Sequence, residues 1–353
     1  MVKKGFAVRW YLPHWYYTEL STSSMGPTGY LVDAGDEPME GWGEERASRA
    51  AERACELYSL EKPVLLRISH AAVYASGDHI VRVEQQGRPV WSGESLVALT
   101  RYVATQGVRT AAPVFELLPL IVDDLHVTFY RRVTEQTEMP EQEKSFLLGQ
   151  QLAVLHDVAA IDHVKTLNMD DINLDFPSAT IDRTLRSLEK VAEMGSKALS
   201  GDDVAELLDG VESMGAVAMA ELEAHRTRGG VDGVTVIHGD SHLGNVLSVE
   251  DGIVLLDFEH TAVAEPFFDH LHVLLADRVF EHSNLYPQFV AGYGESFADS
   301  PMVEEWLKIV SVAYLTWTAS VGEHSLPHRE EAQRRMAWWR GGVGAPEFWT
   351  PGF

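Results

Sequence analysis

Cysteine is nearly missing from this chain of 353 residues: Cys55 is the only one. No intramolecular disulfide can form, so the core must hold without covalent staples, and a reducing cytoplasm is the expected setting. Long apolar runs are also missing, which argues against a membrane span. Arg9 and Pro13 interrupt the stretch that would form the apolar region of a signal peptide, so none is read there. Basic residues are scarce. Against 53 acidic residues stand 28 Lys and Arg, a formal charge of -25. Nucleic acid and anionic membranes are therefore disfavoured as partners. Between Gly5 and Glu143 the only lysine is Lys62, and no Gly-x-Gly-x-x-Gly loop occurs.

Apolar residues make up 45% of the chain, enough to fill a substantial core. The most informative stretch is Val234 to Thr261, VTVIHGDSHLGNVLSVEDGIVLLDFEHT. It reads as an apolar strand, a polar loop, and two short strands joined at Glu250-Asp251-Gly252. The hairpin brings its two ends to the same side, so Asp240, Asn245 and Asp257 can converge. Two carboxylates and an amide oxygen suit metal-assisted phosphoryl transfer: one carboxylate takes the proton of an attacking hydroxyl, and Asn and Asp offer hard oxygen ligands to magnesium. Two rival readings exist. The stretch could be an acidic turn capping buried strands, or His238, Asp240 and His242 could ligate zinc or iron in a metallohydrolase.

HGDSHLGNVL followed by LLDFEHTAVAEPFFDH resembles the aminoglycoside phosphotransferase and choline kinase family. Its pattern is His-Gly-Asp, four residues, Asn, then Asp-x-Asp or Asp-x-Glu. The resemblance implies an α+β, protein-kinase-like fold with a small antiparallel-sheet lobe and a mostly helical large lobe. It implies Asp240 as catalytic base and His238 as the brace of the catalytic loop. Asn245, Asp257 and Glu259 would hold Mg2+. The implied donor is ATP, with GTP left open, and the implied acceptor is a small hydroxylated molecule. The net negative charge favours a cationic acceptor, such as an aminoglycoside or amino alcohol. Acidic Glu135 to Glu143 and Glu265 would then line the cleft. A catalytically inactive nucleotide- or ligand-binding protein of the same fold is the alternative.

Residues 1–42 are rich in Trp and Tyr, and the resemblance does not clearly cover them. They are expected to pack on the body or on a second subunit, which would make a homodimer. Residues 43–134 read as the nucleotide-binding small lobe, with a helix over Glu44–Leu60 and strands over Val64–Ile68, Ala72–Ala75, Ile80–Val83, Val114–Leu118 and Val127–Val133. Where many relatives carry a phosphate-binding lysine, this chain has Arg82, which can pair with phosphate in bidentate fashion. Glu94, at the start of the next helix, is a candidate partner for it. Backbone groups at Arg132, Val133 and Thr134 would meet the nucleotide base. Residues 135–353 read as the helical lobe. Within it, His156 is expected to pack or cap, and Asp269 to be structural. His260, His270, His272 and His282 fit no zinc spacing, and Trp306, Trp317, Trp338 and Trp339 read as core.

Overall fold

The computed structural model describes residues 44–68, 71–85, 93–111, 114, 116–134, 139–158, 175–227, 234–280, 284–322, 325–341 and 349. The expectations for residues 1–42, Glu135 to Glu138 and His282 lie outside them, as do the side chains of Glu94 and Glu259.

Helix α1 (Glu44–Leu57) presents Ala47, Ala50, Ala51 and Ala54 on one face, with Cys55 beside them. Side chains this small let it lie close against a sheet. That sheet has five antiparallel strands in the order β1 (Val64–Ile68), β2 (Ala71–Ser76), β3 (His79–Gln85), β5 (Leu125–Arg131), β4 (Leu120–Val122). Tyr74, Val81, Val83, Val127 and Phe129 join the α1 alanines in one apolar cluster. Alternation along β3 therefore sends Arg82 and Glu84 to the opposite face. The expected strand at Val114–Leu118 is not formed. Val114 donates its N–H to the Phe129 carbonyl, but the chain then turns on itself through Leu117. The edge strand starts after Pro119 instead, and its hairpin to β5 passes through Asp123 and Asp124, both at positive φ, which Asp tolerates better than most residues.

Helix α2 (Gly93–Thr105) ends where Gly107 takes φ +99. Its Leu99 and Val103 belong to the large core of the second lobe, with Leu148, Leu152 and Leu155 of α3 (Glu141–Val158). That lobe continues with α4 (Phe176–Met194), opened by Pro177, and α5 (Gly201–Thr227). Three short strands and a fourth follow: β6 (Thr235–Ile237), the hairpin β7 (Val246–Val249) and β8 (Gly252–Leu255), and β9 (Ala262–Ala264), antiparallel to β6. Four helices complete it: α6 (Leu271–Val279), α7 (Leu285–Tyr293), α8 (Pro301–Val321) and α9 (Leu326–Gly341). No helix among the described residues is long and apolar enough to cross a membrane.

Helices α3 and α7 touch backbone to backbone. A Cβ on Gly149 would stand 2.2 Å from the Phe289 carbonyl oxygen, and one on Gly292 would stand 1.9 Å from that of Phe146. The two lobes meet at β8, where Leu255 donates its N–H to Arg109 O (2.7 Å) and accepts one from Ala111 (3.2 Å). Arg109 also pairs with Asp251 in the β7–β8 turn.

Candidate active site

Local chemistry explains the loop between β6 and β7. Gly239 has φ +78, and a Cβ there would come within 2.1 Å of the His260 carbonyl oxygen, so only glycine fits. The next residue, Asp240, accepts two bonds from one amide: Asn245 Nδ2 reaches its carbonyl (2.7 Å) and its Oδ2 (2.8 Å). This turns the Asn245 side-chain oxygen away from Asp240. Asn245 O in turn accepts the N–H of Leu256 at 3.0 Å, which sets the loop against the residue before Asp257.

His238 works on the backbone at both ring nitrogens. Nε2–H donates to Leu256 O (2.7 Å), and Nδ1 accepts the Asp240 N–H (3.3 Å). Those two partners fix the neutral tautomer. The ring thus braces the loop through the backbone on both sides. The His-x-Asp-x-His reading is therefore not what the geometry builds, and no group of three His, Cys, Asp or Glu among the described residues could hold a metal.

Asp257 sits at φ 61, ψ 59, just before the turn Phe258–His260. Its Oδ1 accepts a bond from Arg82 (3.0 Å), so the β3 arginine of the small lobe reaches across to the acid of the large one. Arg82 also donates through Nε to Glu84 (2.5 Å). Burial opposes the charge on Arg82, but Glu84 and Asp257 outweigh it and hold the pKa above its ordinary value. At Asp240, burial alone would raise the carboxyl pKa. The facing charge and hydrogen bond of His242 hold it well below the usual range. The side chain is an ionised carboxylate, 27% exposed.

Several neighbours of Asp240 and its loop carry no local signature in the sequence. His242 Nε2 lies 3.5 Å from Oδ2 and His272 Nε2 lies 3.8 Å from Oδ1. Tyr314 of α8 lies 3.0 Å from His272 Nδ1. Arg183 of α4 donates to His260 Nδ1 at 3.0 Å. Asp269 is fully buried under the loop. Its carboxylate accepts the N–H groups of His238 (2.7 Å) and Gly239 (2.8 Å), and also faces His156 Nε2 (2.9 Å). Its carbonyl accepts the Ser241 hydroxyl at 2.6 Å.

One expected feature is corrected. Glu265 does not line an open cleft: it is buried, and Arg226 closes on it through Nε (2.5 Å) and Nη2 (3.1 Å). The Arg132 N–H donates to Asp78 O (2.8 Å). Val133, half-buried, and Thr134, exposed, follow it.

An antiparallel sheet carrying one helix, joined to a helical lobe whose loops hold Asp240, Asn245 and Asp257, is the protein-kinase-like fold. Residues 63–306 match the phosphotransferase enzyme family, and the chain belongs to it. It is thus a small-molecule phosphotransferase with a hydroxyl acceptor. Solved structures agree on the fold. The amicoumacin kinase hAmiN, in complex with AMP-PNP, Ca2+ and Ami, aligns with TM-score 0.62 at 15% identity, over 87% of this chain and 98% of that one. The GDP complex of aminoglycoside 2'-phosphotransferase-IIIa gives 0.56 at 15% identity, over 85% and 99%. A choline/ethanolamine kinase family protein from Mesorhizobium loti gives 0.52 at 18% identity, over 86% and 95%. No curated protein matches the chain.

Proposed function

We propose that the protein moves the γ-phosphate of a nucleoside triphosphate, with ATP as the working donor, onto a hydroxyl of a small molecule. The observation that carries this reading is the clamp of Asn245 on an ionised Asp240, tied through Leu256 to Asp257 and from there to Arg82. Asp240 accepts the proton of the acceptor hydroxyl as its oxygen bonds to the γ-phosphorus. The bond from that phosphorus to the bridging oxygen breaks, and the diphosphate leaves. Arg82 faces the phosphates as a fixed, delocalised cation. The Val133 and Thr134 backbone meets the base.

Magnesium suits the donor set: Asn245 and Asp257 bring oxygen atoms, and this ion keeps water and phosphate for its other positions. When bound, it would neutralise charge on the phosphate oxygens. Glu259 is retained as a further acid there on the sequence pattern alone.

The test is Asp240→Asn. ATP binding, measured by calorimetry, should persist, while phosphate release from ATP should fall roughly 10²–10⁴-fold, the range for loss of a general base. Equal turnover in the two proteins would leave a nucleotide-binding protein of the same fold as the better reading.

A further inference from the structure

The Asp240 carboxylate is approached from its own loop and from two helices beyond it. Asn245 Nδ2 holds Oδ2 at 2.8 Å, and His242 Nε2 stands 3.5 Å from the same oxygen. Both residues belong to the loop that carries Asp240, so they move with it. His272 is different. It comes from the first turn of α6, and its Nε2 stands 3.8 Å from the other oxygen, Oδ1. That is too long for a formed hydrogen bond, yet close enough for attraction between a carboxylate and an N–H dipole. His272 Nδ1 in turn lies 3.0 Å from the Tyr314 hydroxyl of α8, with the two rings edge to face at 5.8 Å.

The protons of this chain of groups have one consistent arrangement. Asp240 is ionised and can only accept. Tyr314 stays a phenol, because burial and the Asp240 charge push its pKa up. His272 is neutral, since burial pushes its pKa down to about 4. A bare Nε2 would set a lone pair against the carboxylate. Nε2 therefore carries the proton, and Nδ1 accepts the Tyr314 O–H. Tyr314 is itself fixed from α9. Arg335 Nη1 donates to its carbonyl (3.2 Å) and to the Thr318 hydroxyl (2.5 Å), and Arg335 Nε donates to Glu331 (3.0 Å). Both Arg335 and Glu331 are buried.

We infer that His272 is a positioning residue for phosphoryl transfer: held by Tyr314, it aims its Nε2–H at Asp240 and fixes the carboxylate plane so that Oδ1 takes the acceptor's proton. Oδ2 already holds the Asn245 amide. A bond at that one oxygen leaves the other free to swing, and a second contact from α6 and α8 removes the freedom. Nε2 is already protonated, so the ring orients the base and relays no proton. This rests on the kinase reading above and deepens it.

The test uses the full chain with magnesium and ATP, water standing in for the acceptor hydroxyl and phosphate release as the readout. His272→Leu keeps the bulk and removes the donor. It should lower kcat roughly 10–10²-fold, the scale of a misplaced catalytic group, while KM for ATP and the melting temperature hold. His272→Gln, whose amide N–H replaces that of the ring, should recover most of the loss. Tyr314→Phe should lower kcat less. Combined with His272→Leu it should cost nothing further, because the hydroxyl acts only through the ring. Equal losses in His272→Leu and His272→Gln, or losses that add in the double variant, overturn the inference and leave the kinase reading standing. Nitrogen NMR of the wild type with labelled histidine reads the tautomer directly, the His272 signals being assigned by their loss in His272→Gln. A proton on Nε2 at neutral pH is expected, and a proton on Nδ1 overturns the inference whatever the variants do. Absence of nucleotide turnover in the wild type overturns the kinase reading, and this role with it.

Discussion

Asp269 gathers more of the site than any residue the sequence marks as chemical. One buried carboxylate takes two backbone N–H groups and faces an imidazole nitrogen, and so holds His238 and Gly239 in place. Burial would raise its pKa, but His156 and the N–H of His238 prevail and lower it. The stability it contributes is complete above the ordinary carboxylate range and is lost as pH falls through the depressed folded value. Asp269→Asn turns one of these acceptor oxygens into a donor, leaving at least one buried N–H opposed. It should cost about 3 kcal/mol in urea denaturation and slow turnover more than it weakens ATP binding. At this scale the sequence is legible where contacts are local. Asp240 and Asn245 are five positions apart, and a short hairpin carries Asp257. His156 meets Asp269 across 113 positions and His272 meets Tyr314 across 42, so no spacing in the chain announces either contact.

Elements were legible to the extent that their apolar period is clean. The alanine face of α1 and the leucines of α3 place those helices within a few residues of where they lie. Strand β9 was missed because Ala262 to Ala264 are small residues inside what reads as an acidic loop; their pairing with β6 decides them. The closeness of α3 to α7 was equally hidden, for glycine within a helix looks like a weakness. Here Gly149 and Gly292 let two backbones meet, and that sets His156 Nδ1 2.8 Å from the Tyr293 hydroxyl. Gly149→Ala or Gly292→Ala should each destabilise by roughly 1–3 kcal/mol, the cost of overpacking. A melt that either variant leaves unchanged would show that the helices can slide apart freely.

The turn leading into α6 carries a second, pH-dependent consequence. His270 is packed among Phe289, Tyr293 and Phe297, and burial pushes its pKa down to about 3 from an ordinary 6.5. Between those values the unfolded chain takes up a proton that the folded one refuses, so stability falls as pH drops from 6.5 toward 3. His272 adds to the same slope from 6.5 to about 4. In His270→Phe the urea midpoint should vary less between pH 7 and pH 4.5 than in the wild type.

Over the whole molecule, a charge of -25 means that unlike pairs such as Arg340 with Asp203 and Glu206 cannot offset the excess of like charges. Raising ionic strength from low to physiological values should therefore raise the melting temperature, by screening repulsion in the compact state. A fall would mean that the ion pairs outweigh the repulsion. Overall acidity was read from the sequence as a hint of a cationic acceptor. Folding distributes charge unevenly, so the lining of the acceptor site, and not the global sum, sets which acceptor binds.

The link between Arg82 and Asp257 also acts as a thermodynamic exchange. Without ligands, Arg82 is a counter-ion of Asp257 and shares its charge with Glu84. A phosphate that engages the guanidinium releases the carboxylate, and a divalent cation that engages the carboxylate releases the guanidinium. Each ligand breaks the contact that hinders the other, so their affinities are coupled, reciprocally, by about 1–3 kcal/mol. Magnesium titrated alone into the protein should bind weakly, and a non-hydrolysable nucleotide should strengthen it. Arg82→Gln should weaken the nucleotide yet improve binding of the lone cation; calorimetry showing that both weaken would mean the arginine does not restrain the acid.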